Sequence, residues 1–270
     1  MFITDMDYTL LNHNKEVSER NKVAIKGAME KGIMVVVATG RVFTSARMYT
    51  RLLGIDTPII ASNGAIIRED HTNRTIYQSL LPDEAAMKMI RLCKEYGLYC
   101  HVYTKDKIYT ERIVNISKTY SEWNKRYEDE NRIDIHLIPK IEDVIELEKG
   151  NILKAVVVDD DSEKLRSIRE QILETGLVSV SQSLSDNIEV MNSEVSKGNA
   201  AKILAEMYGI DREEVIAIGD NENDISMIEY AGLGIAVGNA DDFVKNAADF
   251  VTGSYDRDGV AEAIERFILN

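Results

Sequence analysis

The sequence predicts an α/β protein with a parallel-sheet core and an inserted α+β domain. Toward both ends of the chain, short apolar runs alternate with helical stretches, and the run 33–38 is apolar on both faces, as a strand of a buried parallel sheet must be. From about residue 82 to 191 the pattern changes to amphipathic alternation between charged helices. The length of 270 residues also exceeds one domain of roughly 100 to 150 residues.

The core is expected to consist of residues 1–81 and 192–270. Its segments have the alternating periodicities of βαβ units. Before the insertion the predicted elements are a strand at 2–4, a helix at 18–31, a strand at 33–38, a helix at 43–53, a strand at 58–61 and a hairpin of 65–68 with 76–81. After it they are a helix at 198–208, a strand at 215–218, a helix at 224–230, a strand at 234–237, a helix at 241–247, a strand at 250–252 and a helix at 260–269.

The inserted domain is expected to span residues 82–191. Its alternation of apolar and polar residues indicates strands in a sheet that is covered on one face only. The predicted strands are 98–103, 108–110, 133–138 and 178–183, and the predicted helices are 116–130 and 162–175.

The charge balance argues against several classes of partner. Lys and Arg total 32 against 46 Asp and Glu, and the formal net charge of −14 would repel nucleic acid and anionic lipid. Neither nucleic acid nor a membrane is therefore expected as a partner, and the oligomeric state stays open. An anionic ligand would have to be held by local positive charge from a metal ion, basic side chains or backbone N–H groups.

The cellular compartment is indicated by what the sequence lacks. No apolar run reaches the roughly 20 residues that span a bilayer, and charge begins at Asp5, too soon for a signal peptide. Cys93 and Cys100 have no CxxC partner or His cluster, so we expect reduced cysteines that fill space. A cytoplasmic protein is expected, and the short run before Asp5 leaves open whether the N-terminus is complete.

Two carboxylates, Asp5 and Asp7, follow the first predicted strand. Ligands bind at the carboxyl ends of the strands of open parallel sheets, and side chains two apart share one face of a strand. Two ionised carboxylates about 4 Å apart would repel by on the order of 4 kcal/mol at an effective dielectric near 20, so they need a cation, a shared proton or wider separation. A hard divalent metal is the simplest answer, and a polar turn is the alternative.

A second motif, Thr39-Gly40-Arg41, follows the strand at 33–38 at the same edge of the predicted sheet. The Thr39 hydroxyl and a backbone N–H beside Gly40 can hold phosphate oxygens, and the Arg41 guanidinium can donate two hydrogen bonds to an oxyanion. The alternative is geometric, because glycine accepts the dihedral angles of turns at strand ends.

A third motif, residues 219–224, follows the strand at 215–218. Asp220 and Asp224 again place carboxylates past the carboxyl end of a strand. Asp224 is also well placed to cap the next helix, which is its simplest structural explanation. Capping does not explain why Gly219 and Asp220 precede an Asn-rich turn.

A fourth motif, Lys197-Gly198, begins the helix that follows the insertion. A lysine in the first turn of a helix opposes the macrodipole, so a nearby phosphate or carboxylate would explain its position. A surface lysine without a function is the alternative. Together the four motifs place carboxylates, a hydroxyl, an amide and an ammonium at one edge of the predicted sheet.

The motifs DMDYTLL, TGR, KG and GDNEND, in this order, resemble those of the haloacid dehalogenase superfamily, and ASNGA at 61–65 also matches its Cof-type branch of sugar-phosphate phosphatases. The resemblance covers nearly the whole chain. It implies a Rossmann-like core with an inserted α/β cap, and hydrolysis of a small phosphorylated metabolite.

The same resemblance implies a role for each motif residue. Asp5 would be the nucleophile that forms an aspartyl-phosphate, and Asp7 would protonate the leaving oxygen and then activate water. Mg²⁺ would be held by the Asp5 carboxylate, the Asp7 backbone carbonyl and Asp220, with Asp224 binding directly or through water. The phosphate oxygens would be held by the Met6 N–H, Thr39, Gly40, Lys197 and Asn223.

The chain departs from the family pattern at Tyr8, where glycine is usual. A left-handed backbone there would strain a tyrosine by roughly 1 kcal/mol or more. The ring could narrow the pocket or stack on a sugar.

In the cap, surface or hairpin roles are favoured over substrate contacts for His101, Tyr103, Tyr109, Arg112 and Glu189.

The sequence leaves rival functions open. A phosphomutase of the same fold would return the phosphoryl group to a second sugar hydroxyl. A receiver domain phosphorylated on aspartate is the non-enzymatic rival, but its acceptor should follow an internal strand of a chain near half this length. Hexose phosphates, phosphorylated sugar alcohols and pyridoxal or flavin phosphates all fit as substrates.

Overall fold

The computed structural model describes residues 1–125 and 131–270 and divides the chain into two compact units. The first, here called the core unit, comprises residues 1–40, 46–76 and 196–270, and the second, the inserted unit, comprises 41–45 and 77–195. The sequence placed the boundaries at 81/82 and 191/192, whereas the compact units change over at 76/77 and 195/196, and the short segment 41–45 belongs with the inserted unit.

The strands and helices are numbered in chain order. The strands are β1 (Phe2–Thr4), β2 (Val35–Val37), β3 (Ile59–Ala61), β4 (Ile66–Arg68), β5 (Thr75–Gln78), β6 (Tyr99–Thr104), β7 (Lys107–Thr110), β8 (Asp134–Leu137), β9 (Ile152–Val158), β10 (Val178–Ser181), β11 (Asn187–Asn192), β12 (Ile216–Gly219), β13 (Leu233–Ala236) and β14 (Phe250–Val251). The helices are α1 (Glu19–Glu30), α2 (Phe43–Leu53), α3 (Asp83–Tyr96), α4 (Asn115–Asn124), α5 (Asp143–Leu147), α6 (Ser162–Leu173), α7 (Lys197–Tyr208), α8 (Ile225–Tyr230), α9 (Asp242–Ala247) and α10 (Gly259–Ile264).

The core unit is built on a parallel sheet in the order β14-β13-β12-β1-β2. All three residues of β1 and of β2 are buried, in agreement with their apolar runs. β1 lies between its neighbours with Phe2 opposite Ile216 on one side and Val35 on the other. The predicted parallel-sheet core is confirmed, and its central strand is the one that leads into Asp5.

A smaller sheet in the order β3-β4-β5 adjoins the core sheet through a parallel bridge between Ala38 and Ile60. β3 and β4 are antiparallel and are joined by a 3₁₀ turn, Ser62–Gly64. β4 and β5 are hydrogen-bonded neighbours across the turn in which the Glu69 N–H donates to the Arg74 carbonyl. The predicted hairpin is therefore present, with shorter strands than expected.

The inserted unit contains a six-stranded sheet in the order β10-β11-β9-β6-β7-β8, antiparallel except for the β7–β8 pair. β9 and β11, which occupy central positions, were not predicted. The expectation of a sheet covered on one face is wrong for β6 and β9, because every residue of both strands is buried. Alternate residues pack into two apolar clusters, one with α3 and α6 and the other with Tyr120 of α4.

Some helix ends follow local capping rules. Ser18 caps α1 by accepting from the Asn21 N–H, and Ser196 caps α7 by accepting from the Asn199 N–H.

The helix predicted at 116–130 is observed as α4, and its last part, 126–130, lies outside the described residues. The helix predicted at 260–269 is α10 followed by a π-type turn, Glu265–Leu269. Among the described residues no helix has the length and apolar character needed to cross a membrane.

Candidate active site

Three of the four sequence motifs follow adjacent strands of the core sheet. Asp5 follows β1, Thr39 comes shortly after β2, and Asp220 follows β12. Because β1 pairs in parallel with both β2 and β12, the three strand ends lie at one edge of the sheet. The fourth motif begins α7, and its lysine reaches the same place.

The centre of the site is formed by three carboxylates and one ammonium. Asp5, Asp220 and Asp224 each have a carboxylate oxygen within 4.8 Å of the others. Lys197 Nζ lies 2.6 Å from Asp5 Oδ1 and 2.6 Å from Asp224 Oδ1, and its side chain is 0% exposed. The two carboxylates explain why a lysine is found at the positive end of a helix.

Asp224 has a different structural role from the one predicted. Its side chain does not cap α8. Instead its Oδ2 accepts hydrogen bonds from the backbone N–H groups of Asp220, at 3.0 Å, and Asn221, at 3.1 Å. A Cβ at Gly219 would lie 2.4 Å from the Asp224 Cβ, so only glycine allows this close approach. Gly219, whose position capping left unexplained, is thus required by the inward direction of Asp224.

Burial and mutual repulsion perturb the acids of the site. Burial, partly offset by Lys197, raises the pKa of Asp5 to about 7. Burial and the charges of Asp5 and Asp224 raise the pKa of Asp220 to about 9. Burial alone would lower the pKa of Lys197, but the charges of Asp224 and Asp5 outweigh it and hold that pKa above its ordinary value. The ammonium is therefore charged at neutral pH.

The residues present fit a hard divalent cation. When ionised, three carboxylates opposite one ammonium leave two negative charges uncompensated in a largely buried site. Carboxylate oxygens are the ligands that Mg²⁺ prefers, and such an ion would offset the burial and mutual repulsion that raise the pKa values of Asp5 and Asp220.

Asp7 does not share the carboxylate cluster. Its Oδ1 lies 2.9 Å from Lys15 Nζ, and both side chains are about one-third exposed, at 32% and 31%. Each carboxylate thus has its own ammonium partner, Lys197 for Asp5 and Lys15 for Asp7, which offsets the repulsion expected between the two. Lys15 was not singled out in the sequence, because its distance from Asp7 depends on the turn that follows β1.

The candidate phosphate ligands differ in their surroundings. The Met6 N–H has no hydrogen-bond partner among the residues that the structure describes, while the Met6 carbonyl accepts from the Leu10 and Leu11 N–H groups. Thr39 is buried and its N–H donates to the Ile60 carbonyl. Gly40, next to it, is half-buried. The side chain of Asn223 donates from Nδ2 to Asn63 Oδ1 at 3.1 Å.

Arg41 is held by residues of the inserted unit. Its Nη1 donates to Ser45 Oγ at 3.1 Å, and its guanidinium carbon lies 4.8 Å from the centre of the Trp123 ring. Only 7% of the residue is exposed. The guanidinium therefore has packing contacts of its own, and its phosphate role stays a prediction.

Two residues that the sequence analysis did not single out complete the site. Thr9 Oγ1 donates to Asp220 Oδ1 at 2.7 Å and is fully buried. Thr9 lies two positions after Asp7, so the spacing of polar residues after β1 could have indicated that it belongs to the site. Asn63 contacts Asn223, and the only sequence feature that pointed to Asn63 was its place within the ASNGA segment.

Tyr8 has the left-handed backbone that the family pattern suggested, with φ of 60°. Lys15 Nζ lies 4.1 Å from the centre of its ring, and Tyr255 meets the ring edge-on at 5.7 Å. The Tyr8 carbonyl accepts from Asn239 Nδ2 at 2.9 Å. The ring thus has protein contacts of its own beside Asp7, and stacking on a sugar stays a prediction.

Within the inserted unit, the surface interpretation is wrong for His101, Tyr103 and Glu189, which are buried. His101 Nε2 lies 3.0 Å from the Tyr103 hydroxyl, and burial, with the charge of Lys154, lowers the pKa of His101 to about 3. Glu189 Oε1 lies 2.7 Å from Lys154 Nζ.

The other two cap candidates lie in and just after the hairpin strand β7. The Tyr109 hydroxyl donates to Glu148, and the Arg112 guanidinium lies 5.1 Å from the centre of the Tyr99 ring. The hairpin role favoured for them is consistent with these positions. Cys93 and Cys100 are free and buried, which agrees with the space-filling role expected for them.

Comparison with known proteins identifies the family. Residues 2–264 match the haloacid dehalogenase-like hydrolase family. The chain is 33% identical over 279 residues to the 5-amino-6-(5-phospho-D-ribitylamino)uracil phosphatase YwtE of Bacillus subtilis, covering 98% of this chain and 96% of that protein. It is 28% identical to the pyridoxal phosphate phosphatase YbhA of Escherichia coli, covering 98% and 97% of the two chains.

Comparison with solved structures indicates the same family. A haloacid dehalogenase-like hydrolase from Bacillus subtilis superposes with a TM-score of 0.87 at 28% identity, covering 99% of both chains. Another, from Bacteroides thetaiotaomicron, has a TM-score of 0.82 at 31% identity, covering 99% of this chain and 98% of that one.

Fold and site together define a hydrolase with a parallel α/β core whose acidic centre lies at the carboxyl ends of its strands. The chain belongs to the haloacid dehalogenase-like hydrolases, of the Cof type. It is a phosphoric monoester hydrolase, and the receiver-domain alternative is thereby set aside.

Proposed function

We propose that the chain is a Mg²⁺-dependent phosphatase that hydrolyses a small phosphorylated metabolite through an aspartyl-phosphate on Asp5. The observation that carries the proposal is the buried Asp5 carboxylate, held by Lys197 and adjoining Asp220 and Asp224 at the end of the central strand. A nucleophile needs such a fixed orientation, and phosphoryl transfer depends chiefly on positioning and charge stabilisation.

In the first step a carboxylate oxygen of Asp5 forms a bond to phosphorus while the bond from phosphorus to the leaving alkoxide oxygen breaks. Asp7 gives its proton to that oxygen, and an alcohol leaves. Lys197 Nζ, which already contacts Asp5, would neutralise part of the charge on the phosphoryl oxygens. The Met6 N–H, Thr39, Gly40 and Asn223 would donate to the same oxygens.

In the second step water attacks phosphorus and the bond between phosphorus and Asp5 breaks. Asp7, now ionised, takes a proton from the attacking water, so each carboxylate returns to its starting state and phosphate leaves. Dividing the displacement in this way lets one acid serve first as proton donor and then as base. Lys15, which contacts Asp7, must allow its carboxylate to exchange that proton.

Asp5, Asp220 and Asp224 would hold the Mg²⁺ ion, with the Asp7 backbone carbonyl as a further ligand. When bound, the ion supplies the positive charge that the cluster lacks and polarises the phosphoryl oxygens. Thr9 would orient the Asp220 carboxylate through its hydrogen bond to Oδ1.

For the substrate we propose a phosphomonoester of a small polyhydroxylated metabolite, such as a sugar or sugar alcohol phosphate. The named relatives act on a phosphoribityl compound and on pyridoxal phosphate, so the choice within phosphorylated metabolites varies among similar chains.

A screen of phosphorylated metabolites tests the proposal. Phosphate release should require Mg²⁺, stop on chelation, and fall by about a thousandfold or more in Asp5→Asn, because the nucleophile is lost. Asp56→Asn, an exposed site in the core unit, is the matched control and should keep full activity. Full activity in Asp5→Asn would refute the mechanism. Formation of an isomeric sugar phosphate without phosphate release would show a mutase instead.

A further inference from the structure

A buried turn outside the four motifs contacts two of them and approaches the residue directly before a third. Ser62, Asn63 and Gly64 all have positive φ, at 49°, 58° and 95°. Such a conformation costs a residue other than glycine roughly 1 kcal/mol or more, and two occur in succession here. Ser62 and Asn63 are 1% and 2% exposed. Surrounding contacts must therefore hold the turn in place.

Those contacts lead to the segments that carry the candidate phosphate ligands. The Asn63 N–H donates to the Thr39 carbonyl at 3.0 Å. A Cβ at Gly64 would lie 2.3 Å from the carbonyl oxygen of Ser196, the residue that caps α7 directly before Lys197. The Asn63 side chain accepts from Asn223 Nδ2 through its Oδ1 at 3.1 Å. One short turn thus touches the neighbourhoods of Thr39, Lys197 and Asn223.

We propose that Asn63 is a positioning residue that orients the Asn223 amide toward the phosphoryl group, an inference that rests on the proposed function. A carboxamide has a donor end and an acceptor end, and a rotation of 180° exchanges them. Because Asn63 presents an oxygen, Asn223 turns its nitrogen toward this end. Its second N–H is then available to a phosphate oxygen, whereas the reversed amide would present an oxygen and repel the anion.

The position selects asparagine for two reasons. Asparagine and aspartate tolerate a left-handed backbone better than other residues with a side chain. Aspartate would also accept from Asn223, but its charge would oppose phosphate binding. Glycine would fit the backbone and lacks the acceptor. Asparagine combines the required backbone with a neutral acceptor.

Asn63→Gly tests the role, because it keeps the left-handed backbone and removes only the carboxamide. The inhibition constant of inorganic phosphate should rise roughly tenfold or more, with a comparable fall in kcat/KM for para-nitrophenyl phosphate, as expected when a hydrogen bond to a charged group is lost. Asn63→Asp should weaken phosphate binding further although it keeps the acceptor. Mg²⁺ affinity should stay the same in Asn63→Gly.

A double-mutant cycle separates positioning from a merely structural role. In an Asn223→Ala background, Asn63→Gly should cause no further loss of phosphate affinity, because the residue through which it acts is gone. Ser62→Gly is the matched control: it relieves the same kind of backbone strain at the neighbouring position, keeps the Asn63 carboxamide, and should leave the inhibition constant unchanged.

An unchanged inhibition constant in Asn63→Gly, or equal losses in the wild-type and Asn223→Ala backgrounds, would overturn the positioning role and leave the proposed function standing. Full activity of Asp5→Asn would instead refute the proposed function. The two failures are therefore distinguishable within one set of variants.

Discussion

At the scale of single residues, the site depends on Lys197. The ammonium is fully buried and contacts two carboxylates, so its desolvation is offset only as long as both partners are present. It also restrains the Asp5 carboxylate in one orientation. One residue thereby links the stability of the core to the proposed chemistry.

Replacing Lys197 by Met should reduce phosphatase activity by at least about a hundredfold, because the charge opposite the phosphoryl oxygens is lost. The free energy of unfolding without metal should fall by about 3 to 5 kcal/mol, since two carboxylates lose their buried partner. Activity assays and urea unfolding would measure both. Lys202→Met, at an exposed position on the same helix, is the control, and equal behaviour of the two variants would disprove this role.

At Tyr8, the effects of backbone strain and of ring contacts on the free energy of unfolding can be measured separately. Tyr8→Gly removes a left-handed strain of roughly 1 kcal/mol together with a cation–π contact of similar size, so its free energy of unfolding should stay within about 1 kcal/mol of wild type. Tyr8→Ala loses the same contacts but keeps the strain, and should be the less stable of the two in urea unfolding. Equal stability would contradict the strain. A change of substrate preference in Tyr8→Gly would support stacking on a sugar.

At the scale of elements, the end of β12 shows how a strand terminus orients a candidate metal ligand. The 3₁₀ turn Glu222–Asp224 brings the Asp224 side chain back over Gly219. There its carboxylate accepts hydrogen bonds from the backbone N–H groups of Asp220 and Asn221. The direction of this carboxylate depends on the absence of a side chain at Gly219.

Gly219→Ala should therefore displace Asp224. We expect Mg²⁺ affinity to fall by roughly tenfold or more and the free energy of unfolding to fall by about 1 to 3 kcal/mol, as in other overpacked sites. Calorimetric titration with Mg²⁺ measures the first and urea unfolding the second. Gly27→Ala is the control, because its Cβ would meet only the flexible end of Leu269, at 3.3 Å. Wild-type metal affinity in Gly219→Ala would show that Asp224 is not a ligand.

At the scale of the whole molecule, stability and metal binding are linked through protons. Raised carboxyl pKa values mean that the metal-free folded chain holds protons which the unfolded chain has released. The stability contributed by these protons is present below about pH 4 and is lost as the pH rises through about 7 for Asp5 and about 9 for Asp220. A divalent cation binds the deprotonated carboxylates and replaces those protons.

The increase in melting temperature caused by Mg²⁺ should therefore grow between about pH 6 and pH 9. Thermal unfolding with and without millimolar Mg²⁺ across that range measures it. Asp220→Asn should show a smaller and flatter increase, because one of the titrating ligands is missing. A stabilisation that does not change with pH in the wild-type chain would contradict the linkage.

The sequence by itself determined the class of fold and indicated most residues of the candidate site. Helix α2 begins and ends at the predicted residues, and the strands leading to Asp5, Thr39 and Asp220 were placed correctly. Periodicity and strand-end polar residues are local properties, so they can be read along the chain. Those same properties misjudged β6 and did not reveal β9, because burial on the second face of a sheet depends on what packs there.

Only the tertiary structure decided which groups meet. Asp5 and Lys197 are 192 positions apart, and Asn63 and Asn223 are 160 apart. The pairing of Asp7 with Lys15 and the inward turn of Asp224 likewise depend on backbone directions that no residue pattern specifies. Residue types predict the available chemistry, whereas contacts between distant segments decide which carboxylate is held, which is buried and which ammonium neutralises it.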